Sequence, residues 1–439
     1  MRLTPLAIAL LTATLAACSG TNTGAPTEPA AKDAGMTSVD AALQTAFADL
    51  SKRWLDGWLR LNPVNATQQG DHRFDAEIDD LSAAGRARYV DFSRKMLAEL
   101  DAIDATRLSR ENQIDAAILR NQIQSDFWGV DTLQAWAWDP QVYSGLAGSA
   151  IYNLMAREFA PLPERLKSAT VRMEKLPALF AQMRQNIDPA RVPRTHAETV
   201  AKQNSGVISL VEQFIEPNAG LLQGDDRKRL DAAIEGLRKA VAEHQLWLDK
   251  TLVPNAKGDF RIGRKLYDEK LEYALMSSLS RDEIKQRAEA EVVRVRGEMY
   301  KISRQVLTGK ANAPELPDSP NDAQQQKAIE AALELAYADK PKRDAVVDTA
   351  KQTLAQATEF ARQKDLVTVP DDPVEIILMP EFQRGVAVAY CDSPGPLDKG
   401  LKTYYAISPI PDDWTDKQTD SFLREYNTRM IHLLSIHEA

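Results

Sequence analysis

Cysteine is nearly missing: Cys18 and Cys391 are the two in 439 residues. That is too few for a disulfide framework, so the core must hold the fold. Lys and Arg form no run longer than Arg227-Lys228-Arg229 and the net charge is −9, which argues against nucleic acid as a partner. No long apolar run recurs after Leu15, so no mature segment is expected to cross a membrane. No serine sits in a G-x-S-x-G context, which excludes a nucleophile elbow. There is no Gly-rich phosphate loop, and no fixed-period repeat that would indicate a solenoid. Histidine is scarce, at His72, His196, His244, His432 and His437, so imidazole chemistry has few places to reside.

What is present begins with a processing signal. Arg2 supplies a short basic region and Leu3 to Leu15 an apolar one that ends in small residues. Leu15-Ala16-Ala17-Cys18 resembles the lipobox of bacterial lipoproteins. The resemblance implies cleavage after residue 17 and acylation of the Cys18 thiol, with several acyl chains giving stable membrane attachment. Cys391 then remains alone, and loss of Arg2 makes the mature chain one unit more negative. Ser19, rather than Asp, follows Cys18, which points to the outer membrane facing the periplasm. Residues 18–40 are rich in Gly, Thr, Pro, Ala and Ser and read as a flexible tether.

Residues 41–364 carry a helical period. Tyr89, Phe92, Met96, Leu100 and Ile103 form one stripe, and Leu230, Ile234, Leu237, Val241 and Leu248 another, completed by His244. Ser280-Arg281-Asp282-Glu283 reads as a capping box. It is followed by a seam of Ile284, Ala288, Val292, Val295, Met299, Ile302 and Val306. Asp344 to Arg362 predicts a helix with Val347, Leu354, Ala357 and Phe360 facing inward. Ala313 to Asn321 holds three prolines and reads as a loop.

The period changes over residues 365–412. Val374 to Met379, Gly385 to Tyr390 and Leu401 to Ser408 are short β-rich runs between Gly/Pro turns. They predict a small, mostly antiparallel sheet near the C-terminus of an otherwise mainly α, multi-helix array. Residues 413–439 return to helix. Thr415 to Gln418 resembles a capping box, and Phe422, Tyr426, Met430, Leu433 and His437 are expected to line one face. No stop signal stands near Ala439, so the domain is expected to be truncated within this helix.

Among the histidines, His437-Glu438 has the neighbours that chemistry needs. It lies late in an apolar helix after a short sheet, which resembles the active-site helix of zinc peptidases. On residue types alone, a His on an apolar face is more often a core residue than a ligand. His244 reads as such a core residue and Asp71-His72-Arg73-Phe74 as a polar turn. Trp136 and Trp138 read as anchors or as groove walls. Cys391 lacks the basic neighbours that would lower its pKa.

Further residues carry a family resemblance. They are Gly258 to Gly263 leading to Tyr267, Val374 to Pro380, Tyr390 with Pro394, and Tyr404-Tyr405. Arg424 to Asn427 and Leu433 to Ala439 complete the set. On these residues the chain resembles the bacterial domain of unknown function 885 family, exported proteins related to zinc peptidases. Family members continue as His-Glu-Ala-x-Pro-Gly-His, of which this chain matches the first three positions.

The resemblance implies that His437 is a metal ligand, Glu438 the general base and zinc the cofactor, with a peptide as substrate. It also implies that a chain with one ligand holds zinc weakly and is inactive. The family's second His falls about 600° around a regular helix from the first, so its Pro-Gly must reshape the helix. Leu401 to Ser408 is the expected edge strand for substrate, with Tyr404 and Tyr405 contributing a phenol or packing the sheet. A non-catalytic, lipid-anchored scaffold or peptide-binding protein is the alternative.

Overall fold

Side-chain caps set where several long helices begin. Ser82, Ser109 and Ser280 each accept the amide of the residue three positions on, at 3.1, 3.3 and 3.1 Å. Asn321 and Thr415 form full capping boxes with Gln324 and Gln418. Glu283 does not reach back to Ser280 but pairs forward with Arg287.

A computed structural model describes residues 38–439 of the protein. The leader and Cys18 lie outside the described residues. Helices α1 to α6 are Ser38–Leu61, Pro63–Gln68, Ala83–Asp101, Arg110–Trp128, Gln141–Met155 and Leu162–Asn186. Helices α7 to α11 are Arg194–Gln203, Gly206–Leu210, Gly224–Trp247, Val253–Asn255 and Arg264–Leu275. Helices α12 to α14 are Arg281–Leu307, Asp322–Tyr337 and Val346–Lys364. Strands β1 (Glu375–Leu378), β2 (Ala389–Asp392) and β3 (Tyr404–Ile407) follow, then α15 (Asp416–Glu425) and α16 (Thr428–Glu438). The fold is mainly α with a small sheet near the C-terminus, as the hydrophobic periods predict. None of the described helices is long and apolar enough to cross a membrane.

The chain divides into two compact units. The first comprises 38–276 with Pro394–Leu401, and the second Ser277–Ser393 with Lys402–Ala439.

In the first unit, Phe47, Leu50 and Trp54 of α1 pack with Met96 and Leu100 of α3 and Leu119 and Ile123 of α4. Tyr89, on the predicted α3 stripe, is half-buried, and its hydroxyl donates to Asp126 at 3.0 Å. The predicted α9 stripe, Leu230 to Val241 with His244, is buried throughout, as is Leu248 beyond it. It faces α6, whose Leu166, Ala169, Met173, Leu176, Phe180 and Met183 repeat at three and four.

Arg172 of α6 is 0 % exposed, yet it meets backbone carbonyls rather than a carboxylate. Nε donates to Glu77 O at 2.9 Å, Nη1 to Ala150 O at 3.0 Å, and Nη2 to Pro63 O at 3.1 Å. Residues 68–70 make a close approach to Pro394–Leu401. A Cβ on Gly395 would sit 2.3 Å from Gln68 O, and one on Gly70, at φ +85°, 2.5 Å from Asp398 N.

In the second unit, α12 packs on α13 through Tyr300, Leu307 and Ala328, and the Tyr300 hydroxyl donates to Pro317 O at 2.7 Å. The predicted seam of α12 is not the buried one. Val292, Ile302 and Val306 are exposed, while Tyr300, Ser303 and Leu307, roughly a quarter-turn away, are buried. Periodicity marks an apolar face; the partner decides what is covered. On α14 the buried positions are Ala350 and Thr353, and Phe360, expected inside, is exposed.

The sheet has the order β1-β3-β2. β2 pairs with β3 antiparallel, Ala389 opposite Ile407 and Asp392 opposite Tyr404. β1 pairs with β3 in parallel, from Glu375 opposite Tyr404 to Leu378 opposite Ile407. The sheet is therefore mixed rather than mostly antiparallel. The connection after β1 passes over to the far edge, and β3 then enters between its two predecessors.

Candidate site on the last helix

The helix carrying His437 starts later than the apolar spacing implies. Asn427 is buried, and its Oδ1 accepts the amides of Arg429 and Met430 at 3.1 and 3.2 Å. This cap ends α15 at Glu425 and begins a separate α16. Phe422 and Tyr426 thus do not share a helical face with Met430, Leu433 and His437, contrary to the sequence expectation.

Ser435 fixes how α16 is turned. It is fully buried, donates to Ile431 O at 3.0 Å, and its Oγ lies 2.9 Å from Thr353 Oγ1 on α14. Ile431 and Leu434 face inward against Ala350, Ala389, Tyr405 and Ile407. Met430, Leu433 and Ile436 are exposed, and His437 is exposed with them. Glu438, about 100° further round, is half-buried.

The two tyrosines alternate across β3. Tyr405 is fully buried and Tyr404 half-buried on the opposite face. Burial pushes the Tyr405 phenol pKa up, Ser435 pulls it down, and the Glu438 carboxylate adds a smaller push upward. Glu438 is therefore within electrostatic reach of that phenol. The Tyr405 hydroxyl is buried next to Ser435, whose Oγ also engages Ile431 O and Thr353 Oγ1.

The structure thus leaves His437 facing solvent, half-buries Glu438 on the same turn, and turns Tyr404 to the face of β3 opposite Tyr405. The expected edge strand is not an edge: β3 has neighbours on both sides. Both β3 and β2 pack on α16, and of the two it is β2 that borders the sheet, pairing with β3 alone among the described residues. It carries Cys391, exposed, with Sγ 3.3 Å from Ser393 Oγ. Among the described residues no three His, Cys, Asp or Glu side chains converge as an ion would require.

The other candidates divide clearly. His244 is a core residue, stacked between Phe180 and Trp247 at centroid distances of 4.5 and 5.6 Å. Burial, with the nearby Arg184 charge, drives its pKa down to about 3. Trp136 and Trp138 donate to Val130 O and Leu133 O at 2.9 and 3.0 Å, which anchors their own loop. The turn at His72 is capped by Asp71, as a polar turn should be. However, His72 Nε2 also reaches Asp398 at 3.1 Å. That partner is 326 positions away, and no local signal in the sequence points to it.

Residues 63–439 match the family described as bacterial protein of unknown function (DUF885). No curated protein matches the chain. Among solved structures it is similar to a protein from Shewanella oneidensis described as a candidate lipoprotein of unknown function. The identity is 29%, the TM-score 0.67, and the match covers 90% of this chain and 70% of that one. It also resembles a candidate lipoprotein from Colwellia psychrerythraea at 14% identity and TM-score 0.56, covering 92% and 71%. That second likeness is one of fold. The chain belongs to the DUF885 family.

Proposed function

We propose that this family member is a lipid-anchored protein of the bacterial envelope, attached to the outer membrane on its periplasmic side, and that it belongs to a peptide-hydrolysing lineage. The anchor reading rests on Leu15-Ala16-Ala17-Cys18 and is supported by relatives described as candidate lipoproteins. The hydrolase reading rests on one observation above all. The last turn of α16 offers His437 to solvent with Glu438 half-buried beside it, and the helix packs beside a bordering strand, β2. An extended peptide adds to such a strand through its main chain, within reach of a carboxylate able to take a proton from water.

Zinc fits this pair by chemistry, as imidazole ligand and carboxylate base. It does not fit by number, because a catalytic zinc takes three protein ligands and the described residues bring no three donors together. The 439-residue chain is therefore expected to bind zinc weakly and to be catalytically silent. The test is zinc content and peptide hydrolysis, for this chain and for the protein isolated from its own bacterial envelope. Zinc near one equivalent and Glu438-dependent hydrolysis in the envelope protein alone support the reading. Glu438-dependent hydrolysis by the 439-residue chain overturns its second half.

A lipid-anchored peptide-binding protein or scaffold without chemistry is the second reading, favoured by the exposed apolar face of α12. It predicts no zinc in either preparation and a dispensable Glu438.

A further inference from the structure

His72 lies between two carboxylates. Its Nδ1 is 3.1 Å from Asp75 Oδ2 and its Nε2 3.1 Å from Asp398 Oδ1. A neutral imidazole has one N–H and can donate to one of them; only the imidazolium donates to both. Both carboxylates are well covered, at 12 % and 10 % side-chain exposure, so water does not readily replace the ring. The ring is also clamped flat on Phe159, with centroids 3.6 Å apart and planes within 8°.

The two partners differ in kind. Asp75 belongs to the same turn as His72 and is fixed by Thr67 Oγ1, which donates to it at 2.7 Å. Asp398 belongs to the Pro394–Leu401 stretch, which runs from β2 to β3. That stretch is otherwise held by little: Leu397 N donates to Gln69 O at 3.0 Å, and Gly395 and Gly70 allow the close backbone approach. Asp398 to His72 is its one ion pair among those formed by the described residues.

We propose that His72 is a proton-operated latch within the first unit: as an imidazolium it ties the Pro394–Leu401 stretch to the His72 turn, and on losing its proton it lets that stretch go.

The charges around the ring agree with this assignment. On its own turn, Asp71 and Arg73 are occupied with each other, Arg73 also pairing with Asp56 of α1. From α6, Arg172 faces Asp75 through Thr67, and Arg165 lies over the far ring, Phe159, at 5.8 Å. Glu158 offsets Arg165. From the connection itself Asp398 faces the ring, while Lys399 is exposed. Desolvation opposes the charged form, but the hydrogen bonds to Asp75 and Asp398 outweigh it and the His72 pKa is raised. A raised folded value means that the latch is complete below about 6.5 and is lost as pH climbs through the folded pKa.

Hydrogen exchange on the full chain tests this, read at the Leu397 and Asp398 amides and corrected for the intrinsic rise of exchange with pH. Protection there should fall as pH rises through the His72 titration followed by NMR. The fall should be about tenfold for each pKa unit that docking adds, with α9 amides unchanged. Asp398→Asn should lower the His72 pKa and leave the stretch weakly protected at every pH. His72→Gln should do the same to the stretch and provides the check should either variant fold poorly. A His72 pKa at or below its ordinary value, or protection of 394–401 that is flat with pH, overturns the latch.

Discussion

Arg172 Nη2 donates to Thr67 Oγ1 across 2.6 Å, and the Thr67 hydroxyl in turn donates a hydrogen bond to Asp75. A buried cation on α6 thereby orders α2 and the turn that carries His72. The same guanidinium gathers the carbonyls of Pro63, Glu77 and Ala150.

Arg172→Met is therefore expected to destabilise the protein by about 3 kcal/mol or more. It removes hydrogen bonds from a buried guanidinium to Glu77 O, Ala150 O, Pro63 O and Thr67 Oγ1, each worth roughly 1–3 kcal/mol, and recovers part of that by removing a charge whose pKa burial has lowered to about 10. Arg172→Lys should fall between, keeping the charge but not the fork. The urea midpoint of both variants checks the order.

Asp79 accepts the amide of Val64 at 3.1 Å, and burial pushes its pKa up to about 6. Its native form thus holds a proton that the unfolded chain releases near 4, so this group lowers stability as pH rises from about 4 through 6. Asp79→Asn should lift that loss. Relative to the parent it should gain about 2 kcal/mol at pH 8, a value discounted for partial exposure, and little at pH 4. Equal gains at both pH values would contradict the assignment.

His244 works in the opposite direction. Held near 3 by its aromatic sandwich, it stays neutral while the unfolded chain takes up a proton near 6.5, so stability falls as pH drops through that window. His244→Phe should flatten the acid side of the stability profile, which in the parent declines by about 2–3 kcal/mol from this group between neutral pH and pH 4.5. Denaturation at pH 7.5 and pH 4.5 reads the difference.

Asn427→Ala removes the cap that separates α15 from α16 and should cost about 1 kcal/mol. A lower melting temperature with unchanged helix content at 25 °C is the expected result. A gain in helix content would mean that the two segments join, as the apolar spacing from Phe422 to His437 suggests.

That spacing shows where the sequence was legible and where it was not. The α9 stripe could be read because every member, from Leu230 to Leu248, met a partner. The α12 seam was as regular, yet Val292 and Ile302 face solvent and Tyr300 faces the core. An apolar period reports a face and says nothing of what lies opposite. The break at Asn427 had a local signal, an N-cap residue, which the continuing apolar spacing concealed. The central place of β3 had none, because strand order is decided by connections rather than by the strand itself. In the candidate site, His437 and Glu438 were visible as types, whereas the Ser435–Thr353 contact that orients them joins residues 82 apart.

The central claim is that the last turn of α16 belongs to a peptide-hydrolysing site. Elemental analysis of the envelope-derived protein, beside its His437→Ala variant, tests it most directly. The account predicts zinc near one equivalent, lost on substitution of His437. An envelope protein that carries no zinc, or that keeps it unchanged without His437, would contradict the account.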